Sequence, residues 1–191
     1  MSYNDYSVKK VITEILKSEE ELPFKTITKK YPKGTIILEP GGRFQENYYI
    51  KSGIIELSAV SPKDNQEMIL EFVFPDEFLG AFSFYVYKPA SLYYVKCLTD
   101  CTLEIIPIKE FLTTLETSLL VNKLGRYILE FWFLKRIRKE KDMMLKTSEE
   151  LYNDLIATRA EVIQQIPVSK IAKYLGIHPD SLSRIRRKVH S

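Results

Sequence analysis

Cysteine and histidine are scarce in this chain of 191 residues, which contains two of each. Cys97 and Cys101 are too few for a disulfide framework or for the roughly four cysteine ligands of an iron–sulfur cluster. Two reduced thiols that serve as small buried hydrophobic residues are the simpler expectation. Both histidines, His178 and His190, lie in the C-terminal tail, so no Ser-His-Asp, Cys-His or multi-histidine metal site is expected. The sequence therefore predicts no metal, no cofactor and no enzyme.

Long apolar runs are also absent, since no segment approaches the roughly 18 apolar residues that a membrane helix needs. The N-terminal residues 1–5 are polar and show no export signal, so a cytoplasmic protein with no membrane partner is expected. The net charge is only +3, which excludes a basic coat over the whole surface. However, residues 159–191 carry +5 and residues 1–158 carry −2. This asymmetry suggests that the tail meets a polyanion, and a merely solvated basic helix end is the alternative.

Turn-forming residues concentrate in the first half of the chain. Five of the seven glycines lie between Gly34 and Gly80, and no proline occurs between Pro107 and Pro167. Apolar residues alternate in this half at Ile55, Leu57 and Ala59, at Met68, Leu70, Phe72 and Phe74, at Val95 and Cys97, and at Leu103 and Ile105. This period of two predicts short strands with one buried face, as in a sandwich or a jelly roll. A helix is predicted before them, over residues 6–22.

The second half has helical periodicity. Apolar residues recur at spacings of three and four at Leu120, Leu124, Tyr127, Phe131 and Leu134. A helix from Ser118 to Leu145 would be about 42 Å long at about 1.5 Å per residue. Its apolar face is wider than one neighbour requires, which favours a homodimer over packing in a monomer core. Gly125 marks either a close approach or a kink.

Two further features of this half concern helix ends. The basic run over residues 135–139 is a solvated helix end or, alternatively, a patch that follows phosphates. Residues 147–150 read Thr-Ser-Glu-Glu, which is a capping box, and predict the start of another helix.

The tail predicts two short helices joined by a tight turn. Ile171, Ala172 and Leu175 form the inner face of the first helix. Gly176 suits the left-handed position that ends it, and Pro179 suits the first position of the second. The outward-facing residues, which are the predicted DNA-binding residues, are Asp180, Ser181, Ser183, Arg184, Arg187 and Lys188. Arginine can bind guanine with two hydrogen bonds in the major groove, whereas serine and lysine can hold phosphates. A helical hairpin that only packs is the alternative.

From about Phe24 to Ser191 the chain resembles the Crp/Fnr family of bacterial transcription regulators. The motifs are Pro32-x-Gly-Thr-Ile-Ile, Tyr48-Tyr-Ile-x-Ser-Gly, Phe78-Leu-Gly and, most specific, Tyr174-Leu-Gly-Ile-x-Pro-x-Ser-Leu-Ser-Arg-Ile-Arg-Arg. The resemblance implies an α+β fold in three parts. These are a jelly-roll-like β-roll sensor of the cyclic-nucleotide-binding type over 1–117 (with an N-terminal helix), a long dimerisation helix over 118–146, and a C-terminal helix-turn-helix DNA-binding domain over 147–191.

Family residue roles carry over by position. The base-contacting positions fall on Pro179, Asp180 and Arg184, and phosphate-holding positions fall on Ser181 and Arg187. The resemblance thus implies a homodimer that reads a near-palindromic site in double-stranded DNA with residues 179–189, with RNA polymerase as a further partner. The family continues into a β-hairpin wing, whereas this sequence ends at Ser191. A weaker intrinsic affinity that depends more on the dimer is therefore expected.

The resemblance also bears on the effector. Members that bind cyclic AMP hold it with a Gly-Glu pair and an Arg-Ser pair, but here Ala81 follows Gly80, and the second pair falls near Ser91 and Leu92. The candidate effector-binding residues are Gly80, Ala81, Phe82, Ser83, Ser91 and Leu92. A phosphate buried without arginine is poorly compensated, so cyclic AMP is not expected to bind. Another small-molecule effector, or none, is expected.

One rival class of jelly-roll protein is argued against by the residues. Metal enzymes with a jelly-roll fold of the cupin type bind their metal with two or three histidines. Residues 1–117, which are predicted to form the jelly roll, contain no histidine. The remaining alternative to a DNA-binding regulator is a ligand-binding or protein-interaction module whose tail does not read DNA.

Overall fold

A computed structural model of the chain describes residues 24–43, 45–80 and 90–189, and of residues 158–162 it describes the backbone alone. The strands are β1 (Ile27–Tyr31), β2 (Ile36–Leu38), β3 (Glu46–Ser52), β4 (Ile55–Val60), β5 (Glu67–Val73), β6 (Phe78–Leu79), β7 (Tyr94–Cys97) and β8 (Cys101–Pro107). The helices are α1 (Ile108–Thr117), α2 (Leu119–Leu145), α3 (Ser148–Ile163), α4 (Val168–Leu175) and α5 (Pro179–Val189). The helix predicted over 6–22 lies outside the described residues. No helix in the described ranges is apolar over a length that would span a bilayer.

The strands form two antiparallel sheets of four, which enclose a common core. The strand orders are β1-β8-β3-β6 and β2-β7-β4-β5. The sheets bury Ile50, Ile55, Val95 and Leu103 completely between them. Because these residues alternate with polar ones along their strands, the period of two in the sequence set which side faces inward. The predicted α+β class, with a jelly-roll-like sheet pair, is confirmed.

The sheet β2-β7-β4-β5 departs from the prediction of one buried face. On β4, Glu56 and Ser58 are as buried as the apolar residues beside them. The β4–β5 pairing shifts register between Leu57 and Ser58, so the apolar residues of β5 do not share one face. Leu70 packs toward the core between the sheets, Phe72 packs on the opposite side, and Met68 is 54% exposed. The opposite side is covered by helices, which the periodicity of one strand cannot reveal.

The two cysteines behave as predicted. Cys97 on β7 and Cys101 on β8 are buried, unbonded thiols. Their mutual contact, together with burial, raises the pKa of the Cys97 thiol above its ordinary value. Both therefore pack in the core between the sheets as small hydrophobic residues.

The long helix predicted from Ser118 to Leu145 is confirmed. Ser118 caps α2 by accepting a hydrogen bond from the Val121 amide. One face of the helix buries Val121, Leu124, Ile128 and Phe131 against the sheets. A Cβ atom on Gly125 would lie 2.7 Å from Leu115 Cδ2, so this glycine marks the close approach of α1 and α2.

The basic run at 135–139 is not a fully solvated helix end, because two of its lysines reach the sheet. Lys135 Nζ donates to the Phe72 carbonyl at 2.9 Å and to Glu77 Oε2 at 3.0 Å. Lys139 Nζ donates to the Leu70 carbonyl. These lysines are four residues apart and thus lie on one side of α2, where they bind the backbone of β5.

Candidate nucleic-acid interface

The turn between α4 and α5 has the geometry that its residue types favour. Gly176 follows α4 with φ 68° and ψ 29°. Glycine adopts this left-handed conformation without the steric penalty that a Cβ atom brings. The Ile177 amide donates to the Ala172 carbonyl at 3.0 Å, and the Leu182 amide donates to the His178 carbonyl at 3.2 Å. Pro179 then begins α5, as predicted. We call these two helices and their turn the α4–α5 pair.

Apolar contacts hold the α4–α5 pair together. Ala172 and Leu182 are completely buried, and Ile171 is 3% exposed. They belong to one cluster with Tyr152 of α3 and with Phe72 of β5. The small side chain of Ala172 allows the two helices to cross closely, and the same cluster anchors the pair to the rest of the molecule.

The opposite side of α5 is polar and open to solvent. It exposes Ser181, Ser183, Arg184, Arg187 and Lys188. Two of the predicted DNA-binding side chains already have partners within the chain. Ser183 Oγ donates to the Pro179 carbonyl at 3.0 Å, and Lys188 Nζ binds Glu149 Oε1 at 2.8 Å. The exposed arginines Arg184 and Arg187 therefore offer the most accessible positive charge on this side of the helix.

Asp180 lies at the other end of the same side. Its carboxylate is 83% exposed and lies 3.4 Å from His178 Nδ1. A carboxylate in the first turn of α5 favours the helix through the positive N-terminal end of its dipole. Of the base-contacting positions implied by the resemblance, only Arg184 then carries a positive charge.

The basic excess of the tail is less available to a polyanion than its sequence suggests. Lys170 Nζ lies 2.7 Å from Glu56 Oε2, and Lys173 Nζ lies 2.8 Å from Glu67 Oε2. Both lysines of α4 are therefore neutralised by carboxylates of the sheet. Arg186 is also turned away from the exposed side of α5, and its Nε is buried in a groove of about 900 Å³ between α3 and the α4–α5 pair.

The candidate effector residues are only partly described. Ala81, Phe82 and Ser83 lie outside the described residues. Gly80 packs against Asn47, whose Oδ1 would lie 2.3 Å from a Cβ at this position. A cavity of about 10 Å³, room for about one water molecule, lies on the side of the sheet that faces Phe111 of α1 and Ile128 of α2, outside the core between the sheets.

The remaining effector candidates lie in the segment before β7. Ser91 Oγ donates to the Tyr93 carbonyl at 2.8 Å, and its backbone pairs with Gly41 and Gly42. Leu92 is 81% exposed. The structure thus places Ser91 in a local turn and Leu92 on the surface, whereas Gly80 packs against Asn47.

A few tyrosines pack within the mainly aliphatic core between the sheets. Tyr48 is 6% exposed, and Tyr31 and Tyr93 pack against the same core. The Tyr48 hydroxyl donates to Glu46 Oε2 at 3.0 Å, and burial raises the pKa of this phenol above its ordinary value. Tyr48 is therefore a neutral hydrogen-bond donor at physiological pH.

Comparison with known protein families gives a match for the strand-rich part of the chain. Residues 28–118 match the family described as cyclic nucleotide-binding domain. The sequence matches no curated protein.

Several solved structures share the fold of the chain. The c-di-GMP-responsive global regulator CLP of Xanthomonas campestris is 17% identical, with a TM-score of 0.67 over 95% of this chain and 91% of that one. FixK2 of Bradyrhizobium japonicum is 17% identical, with a TM-score of 0.70 over 87% and 85%. A protein of Eubacterium rectale, described as a Crp/Fnr-family regulator, is 19% identical, with a TM-score of 0.68 over 100% and 84%.

Proposed function

We propose that this chain, which carries a cyclic nucleotide-binding domain at residues 28–118 and has the fold of Crp/Fnr regulators, is a homodimeric DNA-binding transcription regulator. The sensor domain would be residues 1–117, the dimerisation helix 118–146 and the DNA-binding domain 147–191. The proposal rests above all on the exposed side of α5, where Arg184 and Arg187 face solvent on a helix held from behind by Leu182.

The proposed reading mechanism follows from the size of α5. An exposed α-helix, with a diameter of about 10–12 Å including its side chains, fits the major groove of B-DNA, which is about 12 Å wide. In the proposal Arg184 donates two hydrogen bonds to a guanine, Ser181 and Arg187 hold phosphates, and Asp180 and Ser183 lie at the margin of the contact. Lys188 contributes after it leaves Glu149, whose partly exposed position makes that ion pair weak.

The second copy would bind along α2. Beside the buried face of this helix, Leu129, Phe133 and Ile137 are 53%, 63% and 47% exposed. Their spacing of four places them on one continuous stripe that no part of the described chain covers. Pairing of two such stripes would bury the apolar surface and set two α5 helices about one helical turn of DNA apart, or about 10 base pairs. Phe133→Glu should accordingly convert a dimer to a monomer in sedimentation analysis.

The effector part of the proposal concerns the sensor. Ala81 after Gly80 and Leu92 after Ser91 leave a buried phosphate without a glutamate or arginine partner at the family positions, which supports a sensor that does not bind cyclic AMP. Gly80, Ala81, Phe82, Ser83, Ser91 and Leu92 remain the proposed residues for any other small effector. Calorimetric titration should detect no binding of cyclic AMP at micromolar concentrations, and a micromolar dissociation constant would contradict this part.

The deciding experiment is selection of bound duplexes from a random DNA library by the wild type and by Arg184→Ala, without added ligand. A two-fold-symmetric motif is expected for the wild type. Arg184→Ala should lose about 1–3 kcal/mol of specific binding and relax the preference at one base pair of each half-site. Arg43→Ala is the matched control, because Arg43 is an exposed arginine of the sensor domain.

Two outcomes would contradict the proposal. Equal behaviour of Arg184→Ala and Arg43→Ala would mean that α5 does not read bases. The protein could also select no motif, either by itself or after small molecules extracted from cells are added. That result would favour an interaction module instead. In a successful selection, the logarithm of affinity should fall with the logarithm of salt concentration by about 0.9 per phosphate contact.

A further inference from the structure

A cluster of carboxylates and ammonium groups joins the sensor sheet to the helices. The carboxylates are Glu56, Glu67, Glu71 and Glu77, and the ammonium groups belong to Lys135, Lys139, Lys170 and Lys173. The acids lie on β4, on β5 and in the segment after β5, whereas the lysines come from α2 and α4. Four negative and four positive charges thus balance in one interface, which we call the Glu–Lys junction.

The centre of the junction is the pair formed by Glu56 and Lys170. The Glu56 side chain has no exposed surface, and Lys170 Nζ lies 2.9 Å from its Oε1 and 2.7 Å from its Oε2. Lys170 also reaches Glu67 Oε1 at 3.3 Å. A buried carboxylate is stabilised only while its partner stays in place, so this pair strongly favours one position of α4 on the sheet.

The α2 side of the junction meets the same helix through Tyr174. The Tyr174 hydroxyl donates to Glu71 Oε1 at 3.1 Å, and its ring lies 5.1 Å from that of Phe72. The ammonium group of Lys139 lies 3.7 Å from the centre of the Tyr174 ring. The position of α4 is therefore defined both by the sheet and by the helix that would hold the second copy.

Strand β4 under the junction is packed on both faces. Glu56 points toward α4, whereas its neighbours Ile55 and Leu57 point into the core between the sheets. Consecutive residues of one strand are joined through the backbone and point to opposite faces of the sheet. Glu56 thus connects the core side of β4, through its neighbours Ile55 and Leu57, with Lys170 on the helix side.

We propose that the Glu56–Lys170 pair is a positioning contact through which the sensor core sets the orientation of the α4–α5 pair, and thereby the half-site separation that the dimer selects. This inference rests on the proposed function, since only a DNA-reading α5 gives the orientation a consequence. The pair acts through α4 and touches no DNA itself. A signal from the core then reaches α5 directly through β4, in addition to any path along α2.

The test measures half-site spacing, which a loss of stability alone would not change. Symmetric duplexes that carry the selected half-sites, with spacers varied one base pair at a time, are titrated with the wild type and with Lys170→Met, Glu56→Gln and Glu67→Gln. Glu67→Gln is included because Glu67 is 38% exposed and the variant should remain folded. Glu39→Gln, at an exposed glutamate of the sensor domain, is the matched control.

The wild type and Glu39→Gln should prefer one spacer, whereas the junction variants should bind neighbouring spacers within about threefold of each other. The double variant Glu56→Gln/Lys170→Met should lose less than the sum of the single losses, because it leaves no unpaired buried charge. Unchanged spacer preference in folded Glu67→Gln and Lys170→Met proteins would overturn the inference.

Hydrogen exchange without DNA separates this inference from the proposed function. If no duplex is selected even by the wild type, the proposed function fails. The exchange of α4 amides then decides whether the junction holds α4 in place. Exchange about fivefold or more faster in Glu67→Gln than in Glu39→Gln would support the junction, and equal exchange would refute it.

Discussion

Lys139 offers a sharp test of the packing between α2 and α4, because burial lowers the pKa of its ammonium group from about 10.5 to about 8. The carboxylate of Glu71 on β5 opposes this effect, whereas the charges of Lys135 and Arg136 on α2 reinforce it. The same ammonium group lies over the ring of Tyr174 on α4. The charged form is therefore less stable in the folded protein than in the unfolded chain.

The sign of the pH dependence follows from proton binding. Between pH 8 and pH 10.5 the unfolded chain keeps the Lys139 proton while the folded protein releases it, so the free energy of unfolding rises with pH. Below pH 8 both states hold the proton, and the unfavourable contribution is present in full. One pKa unit corresponds to about 1.4 kcal/mol, so the contribution regained over this range is at most about 3.5 kcal/mol.

The assay is urea unfolding of the wild type and Lys139→Met at intervals from pH 7 to pH 10.5. The difference in the free energy of unfolding, wild type minus variant, should increase across this range by about 1–3 kcal/mol. Titration of the tyrosines and cysteines occurs in both proteins and cancels in the difference. A difference that is flat or that falls with pH would show that Lys139 is not buried against β5 and Tyr174.

Two further predictions concern local backbone geometry. Gly53→Ala should lower the free energy of unfolding by more than about 1 kcal/mol, because φ is +90° and a Cβ would lie 2.4 Å from the Asp100 carbonyl oxygen. Urea unfolding against Gly34→Ala, which shares the positive φ but has open space around it, isolates the clash, and equal losses would contradict it. Thr147→Ala should cost about 1 kcal/mol, since Thr147 Oγ1 accepts from the Glu150 amide while Glu150 accepts from the Thr147 amide. Thermal unfolding of Thr147→Ala should show a lower midpoint than that of the wild type. An unchanged midpoint would mean that the capping box of Thr147 and Glu150 does not stabilise α3.

The sequence was most informative where structure depends on neighbours along the chain. The end of α4 at Gly176 and the start of α5 at Pro179 follow from the backbone preferences of those two residues. The length of α2 follows from its apolar periodicity, and the exposure of Arg184 follows from its position opposite Leu182. In each case the determining interaction spans no more than a few residues.

The sequence was least informative where strands meet helices. It predicted one buried face for β4 and a solvated or phosphate-binding run at 135–139, and it did not reveal that two lysines of the basic tail pair with carboxylates of the sheet. The structure instead buries Glu56 beneath Lys170, a residue 114 positions later in the chain. A glutamate alternating with apolar residues has the same pattern whether its outer side meets water or a helix.

What the sequence determined by itself is therefore the change from strands to helices along the chain, the extent of α2, the turn between α4 and α5 and the polar side of α5. What only the tertiary structure decided is which of the charged residues are neutralised within the chain and which remain for a partner. The physical reason is that hydrophobic periodicity and capping act locally, whereas the state of a charge depends on the groups that long-range packing brings within a few ångströms.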